Sequence, residues 1–218
     1  MSNLAVDERD PREEFGFKFD RNEKIGNSSL NWSQFEAKNL RFSIMKQEGK
    51  LIDIVLNGGI VDGDLIIDGI NQRVRSIRII DCKVSGRVSI YSTKAKEITI
   101  AANSSTVELI DCDVKSLDIC GQIDDDVSLV KLRNKNGEIE LNGHSKIVRM
   151  REVNAESLKF SNFEADLISG QRVCVNEINL PTDNAVDLRR INSDKIRFFR
   201  NRNKIGLAYE LKNAKLEF

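Results

Sequence analysis

The sequence predicts an all-β fold, a right-handed parallel β-solenoid (β-helix) with an aromatic-rich N-terminal cap and a C-terminal amphipathic helix. Three observations carry this. Short segments with apolar residues at alternate positions return about every ten residues, as in Ile98-Thr99-Ile100 and Val107-Glu108-Leu109. Gly, Asn, Asp and Ser punctuate them, which together with β-branched enrichment marks strands. At a longer period, Ile80-Asp81-Cys82-Lys83-Val84 returns 30 residues later as Ile110-Asp111-Cys112-Asp113-Val114.

The ladder runs through Leu65-Ile66-Ile67, Ile77-Arg78-Ile79, Val88-Ser89-Ile90, Leu117-Asp118-Ile119, Val127-Ser128-Leu129 and Ile139-Glu140-Leu141 to Ile196-Arg197-Phe198. A 30-residue echo of ten-residue strands predicts a three-sided coil, with four to five coils and Cys82 stacked on Cys112. A β-sandwich or barrel is the rival arrangement. It would use hairpin turns such as Asn57-Gly58, Asp62-Gly63 and Asn136-Gly137, but most breaks lack that signature.

Solenoid ends need covers, because the terminal coils expose an apolar layer and free strand edges. Residues 1–50 are assigned to the N-terminal cap and first coil, on the concentration of Phe15, Phe17, Phe19, Trp32, Phe35 and Phe42. Residues 51–198 form the solenoid. In 199–218, Leu207, Leu211, Ala214 and Phe218 fall at helical spacing, which predicts the capping helix.

A second pattern, Ala-x-x-Leu-x-Phe, occurs at Ala37–Phe42 and Ala155–Phe160, with a variant at Ser193–Phe198. With Phe35 and Leu40 five residues apart, these corners resemble pentapeptide-repeat and other right-handed parallel β-helix proteins, over about residues 30–198. The resemblance implies a triangular or quadrilateral solenoid. The stretch 199–218 also resembles helical tails that follow degenerate repeats in some bacterial membrane-linked proteins. That likeness implies the soluble portion of a longer chain.

Composition bounds the function. Lys plus Arg and Asp plus Glu are 34 each, so the chain is neutral and is neither a globally basic nor a globally acidic binder. There is no basic n-region followed by an apolar run, and no stretch long enough to span a bilayer. The four cysteines form no Cys-x-x-Cys pair and only one His is present. Reduced thiols in the cytoplasm, with no metal and no cofactor, are therefore expected.

Candidate chemistry is thin. Asp81, Asp111 and Asp113 are the carboxylates a glycan-acting β-helix enzyme would group on one sheet; as strand-end residues they bond corner backbone instead. Asp124-Asp125-Asp126 lacks the Gly and distal Glu of a calcium loop. His144 stands one residue from Ser145 without a strand-to-helix elbow. Gly58, Gly59, Gly63 and Gly69 precede no helix and no Gly-Lys-Ser/Thr, so they read as turn glycines.

Charge clustering is the strongest feature. Arg189, Arg190, Lys195, Arg197, Arg200, Arg202 and Lys204 face only Asp194, a local charge of +6. Val107 to Asp126 carries −6. The expected function is a non-enzymatic scaffold or recognition module that binds a protein or another macromolecule, or an anionic surface, through this basic C-terminal end. End-to-end self-assembly is the alternative.

Overall fold

The computed structural model describes residues 21–45, 51–181, 185–189, 191–199 and 209–216. Three short strands, β1 (Arg21–Ile25), β2 (Leu30–Ser33) and β3 (Glu36–Ala37), make the first coil. The next is built from β4 (Leu40–Ile44), β5 (Asp53–Asn57) and β6 (Ile60–Val61), followed by β7 (Leu65–Asp68). Long bent strands then run almost a full circuit each: β8 (Arg73–Tyr91), β9 (Lys94–Ile110), β10 (Asp113–Val130), β11 (Arg133–Arg151) and β12 (Asn154–Gln171). β13 (Cys174–Pro181), β14 (Ala185–Arg189), β15 (Ile191–Phe199) and β16 (Tyr209–Leu216) complete the order.

Every coil-to-coil pairing is parallel up to β15, giving a β-solenoid of about 8 turns. At ~4.8 Å per coil the stack is roughly 35–40 Å long. Two long faces oppose each other. Face 1 stacks Leu65, Val88, Val107, Val127, Val148 and Ile168 in one inward column. Face 2 stacks Ile54, Ile77, Ile98, Leu117, Ile139, Leu158 and Ile178. All these residues are essentially inaccessible. Two short edges close the coil. Edge 1 carries Ala37, Val61, Val84, Ser104 and Ile123 inward, and edge 2 carries Val74, Ala95 and Val114.

The repeat length differs from the expected one. Val107, Val127 and Val148 are successive coils of one face, so a circuit takes 20 to 21 residues, not 30. Thirty residues is one and a half circuits. Asp81 and Asp111 therefore sit at opposite corners, both left-handed with φ of 53°. Cys82 pairs in register with Ala102, whereas Cys112 lies between Thr93 and Leu132. The local echo is real, because both thiols turn inward and donate to the carbonyl two residues back, at 3.3 and 3.5 Å. The expected stacking of Cys82 on Cys112 is not formed.

Corners explain the beat. From Val148 onward the buried residues come in pairs at five-residue steps: Val148/Met150, Val153/Ala155, Leu158/Phe160, Phe163/Ala165 and Val173/Val175. Strand alternation accounts for two residues between inward positions. A residue with positive φ then resets the phase, as at Glu152, Asn162 and Arg172, each followed by a buried residue. The amide of each such residue on edge 2 still bonds the next coil: Ser92 to Ile110, Asp111 to Val130, Lys131 to Arg151 and Glu152 to Gln171, all at 2.8–3.0 Å. The hydrogen-bond ladder thus passes round the corner without leaving an orphan donor.

Near the start of the stack, Trp32 packs edge-on against Phe35 (5.8 Å) and Phe42 (5.3 Å), with the Arg21 guanidinium 5.9 Å from the indole. Phe15, Phe17 and Phe19 lie outside the described residues. At the other end the expected capping helix is not what the chain forms over Tyr209–Leu216. That segment is β16, antiparallel to β15 from Phe198/Tyr209 to Ile191/Leu216. Tyr209-Glu210-Leu211-Lys212 and Ala214-Lys215-Leu216 also alternate with period two. The apolar i, i+4 match of Leu207 and Leu211 fits a helix, but the strand period fits as well, and the edge of β15 favours the strand.

Candidate recognition surface

The basic cluster expected at the C-terminal end is only partly placed. Arg189 lies in β14, and Lys195 and Arg197 in β15, opposite Glu177 and Asn179. Arg190, Arg200, Arg202 and Lys204 lie outside the described residues.

Several other candidates resolve into structural roles. Asp111 and Asp81 occupy opposite corners, and Asp111 lies 3.6 Å from the Arg133 guanidinium, so the two carboxylates cannot act on one bond. Lys146 bonds Asp125 at 2.7 Å and Arg149 pairs with Asp126. The Lys146 bond holds the Asp125 carboxyl below its usual range. His144 stacks between Gln122 and Glu164, while Ser145 turns inward, its hydroxyl within donating distance of the Ile147 carbonyl (2.8 Å) or the Asp125 carbonyl (3.1 Å). The two side chains therefore lie on opposite sides of the strand. Gly59 makes room for the Phe35 ring, since a Cβ there would stand 2.1 Å from Phe35 Cζ. Among the described residues no group of three His, Cys, Asp or Glu is placed to hold a metal ion.

Face 2 carries an acid panel on its outside. Glu97 and Glu138 share one column with Ser116 between them; Asp118 and Glu140 are neighbours in the next. Arg78 meets Glu97 at 3.0 Å and Lys159 engages Glu138. Partial burial, then Glu140 and Glu97, raise the Asp118 carboxyl above its usual value. A shallow depression of about 380 Å³ lies at the end of the panel, lined by Asp81, Lys83, Asn103, Cys120 and Gly121 among others.

Edge 2 is the basic counterpart. Arg73, Lys94, Asp113 and Arg133 form one outward column, and Arg75, Lys96 and Lys115 stand two residues farther along their strands. All are exposed. Arg75 bonds Asp53, and this bond, with help from Ser76, holds that carboxyl at about 2. No carboxylate among the described residues pairs with Arg73, Lys94, Lys96 or Lys115. On edge 1, by contrast, two of the cations meet acids, Arg87 with Asp64 and Lys146 with Asp125.

The sequence reading missed this edge. Its signal is Arg73-Val74-Arg75, Lys94-Ala95-Lys96 and Asp113-Val114-Lys115, two outward residues flanking an inward one, continued by outward Arg133 beside inward Asn134. Only a 20-residue period brings these together; a 30-residue period scatters them over different sides.

The thiols are graded by position. Burial drives the Cys112 thiol up to about 11 and raises Cys82 and Cys120, whereas Cys174 is exposed. Native protein treated with iodoacetamide at pH 8 should therefore alkylate Cys174 first and leave Cys82 and Cys112 unmodified until denaturant is added. Peptide mapping by mass spectrometry reads the order, and early modification of Cys112 would contradict it.

No protein-family model matches the chain, and neither a curated protein nor a solved structure shows significant similarity to it.

Proposed function

We propose that the chain is a non-enzymatic, cytoplasmic scaffold or recognition module that binds another macromolecule through charged surfaces displayed on a rigid solenoid. The observation that carries this reading is the separation of charge by side, with the cations of edge 2 mostly unmatched among the described residues and the acids of face 2 only partly matched. Cations occupy edge 2 and acids the outside of face 2, held in register by the stacked coils. Such fixed fields steer and orient partners. The basic C-terminal residues Arg189, Arg190, Lys195, Arg197, Arg200, Arg202 and Lys204 belong to the same reading. A right-handed, pentapeptide-like coil is part of the proposal too. The five-residue spacing of buried pairs and the general preference for right-handed crossovers support it.

Binding through the C-terminal end predicts that Arg197→Glu, Arg200→Glu and Arg202→Glu together abolish salt-sensitive capture of a partner from lysate, with the melting temperature unchanged. Capture at wild-type level by a folded triple variant would refute that route.

Self-assembly is the second reading. It is favoured by the first coil, where β1, β2 and β3 pair on one edge only among the described strands. Light scattering over a concentration series separates the two, because a capped module keeps one size.

A further inference from the structure

One corner breaks the pattern of edge 2. In five successive coils the left-handed position is polar: Ser92, Asp111, Lys131, Glu152 and Arg172. In the coil before them it is filled by Ile70 and Asn71, with φ of 46° and 59°. A β-branched residue is strongly disfavoured there, since Cβ crowds the backbone. Ile70 is also 50 % exposed. The turn is fixed rather than loose. Ile70 N donates to Asp68 Oδ1 at 3.1 Å, Asn71 N to the Ser92 carbonyl at 2.7 Å and Gln72 N to the Gly69 carbonyl at 2.7 Å. An aliphatic side chain is thus held outward at the cost of both strain and hydration.

Its neighbours share the character of the site. Ser43 pairs with Asp68, and Met45 and Ile70 each lie two residues beyond that pair, so they mark the same corner in adjacent coils. Met45 is 43 % exposed. Arg73, Lys94, Lys96 and Lys115 follow along the same edge, unpaired among the described residues. Backbone strain concentrated at an exposed apolar tip is the kind of outlier that marks a contact site.

We propose that this edge docks on an anionic lipid surface, with Ile70 and Met45 entering the interfacial layer and Arg73, Lys94, Lys96 and Lys115 lying against lipid phosphates and anionic headgroups. The proposal rests on the reading of the chain as a charge-guided recognition module and names the partner class for edge 2. Lysine-rich clusters beside an apolar anchor suit a headgroup layer, where cations keep their water and act as point charges. Protein interfaces, by contrast, deplete Lys at their centres. A nucleic-acid backbone would use the cations but gives an aliphatic tip no partner, and single strands favour aromatic platforms.

The test is co-sedimentation of the full chain with sucrose-loaded vesicles, of phosphatidylcholine alone or with about one-third phosphatidylserine. Binding is expected only with phosphatidylserine and should weaken as salt rises. Lys94→Gln with Lys96→Gln should lower partitioning about 25-fold, roughly fivefold for each charge. Ile70→Asn removes the apolar tip while placing a residue that tolerates the left-handed region. That variant should melt at or above the wild-type temperature yet bind several-fold more weakly. Absence of binding to phosphatidylserine vesicles overturns the proposal, as does an Ile70→Asn variant that binds like wild type. A gel shift of duplex DNA without vesicle binding would reassign the edge to nucleic acid. If vesicles fail while salt-sensitive capture of a protein persists, this inference falls and the broader reading stands.

Discussion

Replacing Gly143 by Ala should destabilise the protein by about 2–4 kcal/mol and lower its melting temperature by roughly 5–15 °C. The cause lies in a column of close backbone approaches between face 2 and edge 1. Gly121 and Gly143 have φ of 134° and 115°. A Cβ on Gly143 would stand 2.2 Å from the Gly121 carbonyl oxygen, and one on Gly121 would stand 2.3 Å from that of Ala102. The obstacles are backbone atoms already tied into the parallel ladder, so relief requires the coils to separate locally. Gly26 supplies the control: its φ is not positive, and a Cβ there meets nothing within 4 Å. Gly26→Ala should be neutral within about 0.5 kcal/mol. Chemical denaturation of the three proteins reads the difference. A Gly143→Ala variant as stable as Gly26→Ala would show that the coils yield at little cost.

The solenoid was legible in the sequence because its signal is local. Val107-Glu108-Leu109 and Leu117-Asp118-Ile119 announce strands by alternation alone, and their inward residues are buried as expected. The length of the circuit was not, because corner chemistry recurs every ten residues. Ile80-Asp81-Cys82 and Ile110-Asp111-Cys112 match in sequence since both are left-handed corners with an inward thiol, although they turn on opposite sides. A repeat of half-circuits leaves the full circuit undetermined at 20 or 30 residues. That ambiguity also hid edge 2, whose cations align only at the shorter period. Tyr209–Leu216 is ambiguous for another reason: eight residues with apolar positions both two and three apart satisfy either template, and only the neighbouring strand decides.

A solenoid transmits stability from coil to coil, so a single buried charge in the middle should cost more than one near an end. Ile119 is fully buried and stacks between Ile100 and Leu141. Ile119→Asp removes a filled core position and places a carboxylate where no cation can reach it. The combined loss should be about 4–6 kcal/mol at neutral pH. Burial raises the pKa of the new carboxyl in the folded state above its unfolded value. The penalty is therefore full above the folded pKa and shrinks as pH falls toward the unfolded pKa near ~4, where both states carry the neutral acid. Each coil contacts only its neighbours, so unfolding should divide into two transitions on either side of the break. Val175→Asp, in a buried position nearer the C-terminal end, leaves the preceding coils stacked and should lose less of the cooperative unit. Hydrogen exchange measured by mass spectrometry distinguishes the outcomes. In the Ile119 variant, protection should fall first in β9 to β11 and persist in β5 to β8. Uniform loss along the chain would mean that the coils fold as one unit and that stability is not local to the break.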